Sequence, residues 1–302
     1  MLSNYFSKRR TKAYAFLLGA TIIWGASAPI IKYTLSGISP FEFLAYRFFV
    51  AGIVGFIVIM FGNISVPNNT KLVYASLIYG LLATTVALSF LFIGINNSTV
   101  LDLALIGNSG PLLVMLGGWI LFRDHITHRE KVGTIITLAG TALVVLGPVL
   151  INSSIVKLTG NLFLVVFLVI DSSTILFSKY LVKKKVSPVF IANVAFIVGA
   201  ITLIPFVINY YGFSEYITTL KSLDISYHLG VWYMAILSGN VAYSLLVRGV
   251  RTIEVSEAGL FAYLQPVIST PLAVLWLGET ITPLFIIGAI IIASGVFIAE
   301  KK

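Results

Sequence analysis

Apolar residues in this chain neither alternate with polar ones nor keep to one helical face. They run on in long segments, with polar residues gathered into short breaks between them. This is the pattern of elements surrounded by lipid, where a helix needs about 20 mostly apolar residues to cross. Ten segments meet that length, at about 13–35, 41–61, 72–95, 100–122, 132–151, 162–181, 189–210, 229–250, 255–277 and 283–299. A membrane barrel fits poorly, because its strands alternate lipid-facing and lumen-facing residues. The breaks carry turn chemistry: Gly62-Asn63, Val66-Pro67-Asn68-Asn69, Asn96-Asn97-Ser98 and Ser187-Pro188. The pattern predicts an all-α integral membrane protein with ten transmembrane helices.

Composition agrees, since only 10% of the 302 residues are charged and 58% are hydrophobic, against about 25% charged in a soluble domain. The absence of cysteine excludes disulfides, thiolate metal sites and a cysteine nucleophile. A net charge of +9 would suit a nucleic-acid binder, but its distribution points elsewhere. With the amino terminus inside, the cytoplasmic segments receive sixteen basic residues: Lys8, Arg9, Arg10, Lys12, Lys71, Arg123, Arg129, Lys131, Lys179, Lys183, Lys184, Lys185, Arg248, Arg251, Lys301 and Lys302. The outer side receives Lys32, Lys157 and Lys221, and Arg47 alone falls within a span. Such a bias over short loops fixes span count and orientation together, because one miscounted span would swap the sides of everything after it. Both termini are expected in the cytoplasm, as tails of residues 1–12 and 300–302, and the short loops suit a prokaryotic inner membrane; no nucleic-acid partner is expected. Lys8-Arg9-Arg10, an apolar run and Ala26-Ser27-Ala28 imitate a cleaved signal peptide, but the apolar stretch continues through Pro29, Ile30 and Ile31.

The two halves of the chain resemble each other. A shift of 155 positions sets Pro111 on Pro266, Asp124 on Glu279, Ile126-Thr127 on Ile281-Thr282, Gly133 on Gly288 and Gly140 on Gly295. At a slightly smaller shift, Lys32-Tyr33 falls on Lys179-Tyr180 and Ser39-Pro40 on Ser187-Pro188. The reading is two five-helix repeats, residues 13–151 and 162–299, joined by an external linker at 152–161. Five is odd, so the second repeat enters the membrane inverted. Inverted repeats are characteristic of secondary transporters, which bind substrate near the midplane between the halves. Duplication in a structural or enzymatic membrane protein is the alternative source of such symmetry.

Trp24-Gly25 in the first span, Ser39-Pro40 followed by Arg47 in the second, Pro266 followed by Leu277-Gly278-Glu279-Thr280-Ile281-Thr282, and the closing Gly288-x6-Gly295 together resemble the EamA-type branch of the drug/metabolite transporter superfamily. The resemblance covers the whole chain. It implies a ten-helix fold with a central cavity walled by spans one to four and six to nine, spans five and ten lying outside. It also implies export or uptake of small organic molecules, commonly amino acids or related metabolites. Asp102 and Asp171 stand where the family usually has apolar or small residues, and Arg123 and Gly278 differ where the repeats should match.

Charge within a membrane is costly, about 2.5–3.5 kcal/mol at a helix centre on insertion scales, so Arg47, Asp102 and Asp171 each need a partner or a wet cavity. Asp171, Thr174 and Ser178 form one polar stripe on span six. In the functional reading Asp171 or Asp102 binds a cationic group or takes up a coupling proton, and Arg47 holds a carboxylate or phosphate. In the structural reading Arg47 pairs with Asp102 or Glu42 and locks helices together. Pro111 and Pro266 predict symmetric helix breaks, freeing the carbonyls of Gly107 and Ala262 and setting Asn108 and Gln265 near the membrane centre. Asn240 and Tyr243 of span eight, with Trp24 and Tyr79, complete the candidate substrate-binding set as polar groups and aromatic walls.

No Walker-type phosphate loop occurs, and His125 with His128 beside Asp124 reads as a solvated turn rather than a metal site. No cofactor, metal or catalytic group is expected, and the chain is not read as an enzyme. The expectation is a secondary active transporter working by alternating access on an amino acid or similar zwitterion, in the export direction, with a proton or other ion as coupling partner. The alternatives are a polyspecific exporter of cationic or amphipathic molecules and a membrane-embedded enzyme acting on a lipid-like substrate.

Overall fold

The structure is a computed structural model describing residues 2–62, 64–150, 154–250 and 260–300. Among the described residues there is no strand. Among the described residues nine helices are long and apolar enough to span: Arg10–Thr34, Pro40–Phe61, Thr70–Asn97, Val100–Phe122, His128–Leu150, Ile155–Lys183, Pro188–Tyr211, Ile225–Leu246 and Pro283–Glu300. Phe261–Leu275 is a shorter apolar helix and counts here as span nine, which makes Pro283–Glu300 span ten. The first part of the expected ninth span, together with Arg251 and Glu257, lies outside the described residues. The protein is an all-α membrane protein of about ten helices.

Three details depart from the sequence reading. Residues 1–12 were expected as a tail, but the first helix runs from Leu2 to Thr34 without interruption. The expected linker at 152–161 is mostly helix, because Ser154 caps a 29-residue helix whose first turns include buried Asn161. At 1.5 Å per residue that helix is about 43 Å long, more than the roughly 30 Å of hydrocarbon, so its first turns can be polar and still helical. A further helix, Phe213–Ser222, follows Gly212 and buries Tyr216. It is too short and too polar to register as a span.

Helix ends follow local chemistry. Ser39 opens span two by accepting from the Glu42 amide at 3.4 Å and donating to its carboxylate at 2.6 Å, with Pro40 in the first turn. Span four closes on Arg123 in the left-handed conformation, φ 57°.

Span one packs on eight and nine, two on seven, three on six, four on six, and five on ten. Adding five to each number maps this set onto itself, so the packing follows the internal similarity of the sequence. Backbone proximity at the five–ten contact is extreme: a Cβ on Gly133 would stand 2.4 Å from the Gly295 carbonyl oxygen, and one on Gly295 would stand 2.4 Å from Thr137 Oγ1. Small residues let membrane helices approach where lipid supplies no hydrophobic drive. Gly133→Leu is therefore expected to cost at least the roughly 1–3 kcal/mol typical of overpacking, read as a lower melting temperature in detergent.

Spans three and eight each contain a π-helical stretch, Leu81–Val86 and Tyr233–Val241. A π turn leaves a backbone group to be met by other means. Asn240 Nδ2 donates to the Ala235 carbonyl, five residues back, at 3.0 Å, and Thr84 Oγ1 donates to the carbonyls of Gly80 and Ala195 at 2.7 and 3.1 Å.

Candidate functional site

Arg47 lies two turns into span two and is 7% exposed. Its guanidinium carbon stands 5.3 Å from the ring centre of Phe48 and 6.0 Å from that of Phe92, and Phe43 meets Phe92 edge-on at 4.9 Å. Among the described residues no hydrogen bond or ion pair reaches it. Both carboxylates considered as structural partners are engaged elsewhere, Glu42 with Ser39 and Asp102 with Lys157 at 3.1 Å. Taking an ion out of water costs several kcal/mol, of which an aromatic face returns about 2. What remains is a planar five-donor group with no acceptor of its own, which suits a carboxylate or phosphate.

Asp102 is in a different situation. It belongs to the first turn of span four, where Thr99 Oγ1 accepts from its amide at 3.0 Å, and its carboxylate receives Asn161 Nδ2 at 3.1 Å besides Lys157. Ser98 Oγ lies 3.4 Å away and also bonds the Asn161 side chain. The structure thus gives Asp102 Oδ2 partners from span six and from its own turn, and among the described residues pairs it with neither Arg47 nor Asp171. Asn161→Leu is expected to lower stability by about 1–3 kcal/mol by stripping a bond from a buried carboxylate. Substrate affinity, measured by binding at a temperature where the variant is folded, should be unchanged.

Asp171 stands partly buried in the middle of span six. Its backbone carbonyl accepts from Thr174 Oγ1 at 2.8 Å, and among the described residues its carboxylate has no hydrogen bond or ion pair. Tyr79 of span three lies within electrostatic reach of both Asp171 and Tyr243. It also meets Phe177 edge-on at 6.1 Å, while Tyr243 donates to the Pro188 carbonyl at 3.3 Å. Gly94 of span three packs on Leu164 of span six, which sets the antiparallel register of the pair. Phe92, and Arg47 with it, is then level with residue 166 or so, and Asp171 is about 7–8 Å further toward the end carrying the basic loops.

Span four divides into Val100–Gly107 and Gly110–Phe122, and in the described part of span nine a 3-10 turn, Leu260–Leu264, runs into the helix Gln265–Leu275. Pro111 and Pro266 sit in the first turn of the second piece, where the missing N–H has no partner to lose. Asn108 and Gln265 are partly buried at these junctions, and a side chain at Gly107 would meet nothing within 4 Å. Trp24 and Asn240 are more occupied than expected: Trp24 Nε1 donates to the Ser238 carbonyl at 3.0 Å, and Asn240 serves its own π turn.

Sequence reasoning missed Phe48 and Phe92, which are two among 21 phenylalanines until the packing brings them to Arg47. It also left out Lys32 and Glu279. Glu279 lies between spans nine and ten, where burial holds its carboxyl above the ordinary glutamate value against the pull of two amides and Lys32. Its counterpart in the repeat, Asp124, is exposed and held below the ordinary range by its bond from Lys179. The repeat alignment already paired these two acids, and that was the available clue.

The model of the EamA-like transporter family matches residues 11–146 and 158–300. An uncharacterized transporter of Bacillus subtilis, YyaM, is 25% identical over 298 residues, covering 95% of this chain and 93% of its own. A probable amino-acid metabolite efflux pump of Escherichia coli is 25% identical over 287 residues, covering 92% and 91%. A solved crystal structure superposes with a TM-score of 0.65 at 20% identity over 96% of both chains, a likeness of fold. Since the family match takes in each half of the chain in turn, the protein belongs to the EamA-like transporter family.

Proposed function

We propose that the protein is a secondary transporter that exports an amino acid or a similar zwitterion by alternating access, built as two inverted five-span repeats with both termini in the cytoplasm of a prokaryotic cell. The observation that carries this reading is a pair of charges, Arg47 and Asp171, that have no ion pair or hydrogen-bond partner among the described residues, on helix levels offset by about 7–8 Å. A zwitterion brings a carboxylate for the first and an ammonium for the second. Intramembrane charges without partners are by default functional, because nothing else offsets their cost. The similarity to a probable amino-acid metabolite efflux pump supports the substrate class, and the self-mapping packing of the spans supports the repeat mechanism.

Purified protein in proteoliposomes, offered labelled amino acids and small organic cations with and without a pH gradient, tests the reading. Saturable, gradient-responsive flux of zwitterions is expected. A second reading, export of cationic amphipathic molecules, draws on Asp171 within electrostatic reach of Tyr79; flux of cations alone would favour it, and Arg47 would then be dispensable. Turnover of a lipid-like compound without flux would instead sink both.

A further inference from the structure

At the end of the molecule opposite the basic loops, two charged side chains hold one hairpin. Spans three and four meet at Ser98-Thr99, between a helix ending at Asn97 and one beginning at Val100. Lys32 of span one donates from Nζ to the carbonyls of Ile95, Asn96 and Ser98 at 2.8, 3.0 and 2.7 Å, which uses all three of its donors. Glu279, from the loop before span ten, accepts from the amides of Val100 and Leu101 at 2.8 and 3.0 Å. A cation thus sits on the free carbonyls of one helix and an anion on the free amides of the next, each with the sign those groups favour. Just beneath, Val100 and Leu101 pack with Ala273 of span nine and Ala28 of span one.

At the basic end the repeat-related residues are Lys179 for Lys32 and Asp124 for Glu279, and the stretch between spans eight and nine that corresponds to residues 98–99 lies outside the described residues. Lys179 Nζ donates directly to Asp124 Oδ2 at 2.8 Å, and both side chains are nearly half exposed, at 42% and 48%. Among the described residues a lysine and an acid thus occur in two bonding arrangements, on helix ends at one face and on each other at the other.

We propose that Lys32 and Glu279 are the latch of the outer gate. When this end is closed they grip the ends of spans three and four; when it opens they let go and pair with each other, as Lys179 and Asp124 do here. The inference rests on the alternating-access reading above and adds its positioning residues. Neither side chain touches substrate; each sets which face is open.

The chain has no cysteine, so Ala28→Cys places a single thiol directly inside the grip. The measurement is its rate of modification by a membrane-impermeant thiol reagent added to the face that carries Lys32. Glu279→Gln is expected to raise that rate by about tenfold or more, and Lys32→Gln, which frees the three carbonyls, serves if the first variant does not accumulate. The exchanged pair Lys32→Glu with Glu279→Lys separates a grip from a simple ion pair. An ion pair is restored by exchange and would return the parental rate. A grip puts the wrong sign on both helix ends, so the thiol should stay as reactive as in the single variant or become more so. A parental rate in the exchanged pair, or no change in either single variant, overturns the latch. Labelling needs no substrate: zwitterion flux with an unresponsive thiol would sink the latch alone, and a responsive thiol without flux would sink the substrate reading alone.

Discussion

Replacing Arg47 with methionine should make the protein more stable and remove its affinity for substrate. The guanidinium is 7% exposed, rests on the rings of Phe48 and Phe92, and has no carboxylate partner among the described residues. Substituting apolar side chains for buried ionic groups is commonly neutral or stabilising by about 1–4 kcal/mol. Methionine keeps much of the length of the stem, so the ring contacts survive. A desolvated charge pair to a bound carboxylate is worth about 2–5 kcal/mol, so binding should weaken by about 30-fold to 10³-fold or more. Arg47→Lys should retain part of the affinity, since it keeps the charge and loses the planar fork. Thermal unfolding in detergent and a direct binding assay check both halves of the statement. A melting temperature that drops in Arg47→Met would mean that the charge is structural, with a partner formed in another conformation.

Asp171→Asn should abolish proton-driven accumulation while leaving exchange of substrate across the membrane. Asparagine has the shape of the protonated carboxyl but cannot cycle its charge, and among the described residues the wild-type carboxylate has no fixed counter-ion to hold it ionised. One pH unit supplies about 1.36 kcal/mol per proton, a tenfold concentration ratio. Wild type should therefore reach a ratio of about ten per coupled proton, and the variant a ratio near one, with counterflow preserved only at saturating substrate because the group that meets the ammonium has lost its charge. Unchanged substrate affinity in the variant would remove Asp171 from the binding site and leave it a coupling group alone. Full accumulation in the variant would remove it from the transport cycle. Tyr79→Phe is a sharper probe of the neighbourhood: it removes one hydroxyl near Asp171 and keeps the ring that meets Phe177.

Much of the fold is legible because it is local. Lipid demands long apolar runs, and nine of the ten expected segments correspond to helices of spanning length, with a shorter apolar helix for the remaining one. Pro111 marks its break, and Pro266 the start of its helix, because proline chemistry acts within one turn. Span six and the helix Phe213–Ser222 show where hydropathy stops being informative, since polar helical turns outside the hydrocarbon look like loop. The site is less legible for a related reason. Asp102 and Asp171 are equivalent as intramembrane carboxylates in the sequence, yet Lys157 and Asn161 claim one of them and no side chain among the described residues claims the other.

The sequence by itself determined how many times the chain crosses the membrane, which loops are basic, where span four breaks and that the halves repeat, because each of these depends on composition within a segment or on two segments compared. Tertiary structure decided the rest. Whether Arg47 meets a carboxylate or two phenyl rings depends on how span two is rotated against span three. Whether Glu279 is a loop acid or the cap of span four depends on a contact across 179 residues. The π stretches of spans three and eight are likewise set by packing, as Thr84 bonding to Ala195 across 111 residues shows. In lipid the hydrophobic effect fixes that a helix spans but not which side of it faces a neighbour; close packing and polar pairing fix that, and they exist only once the helices are together.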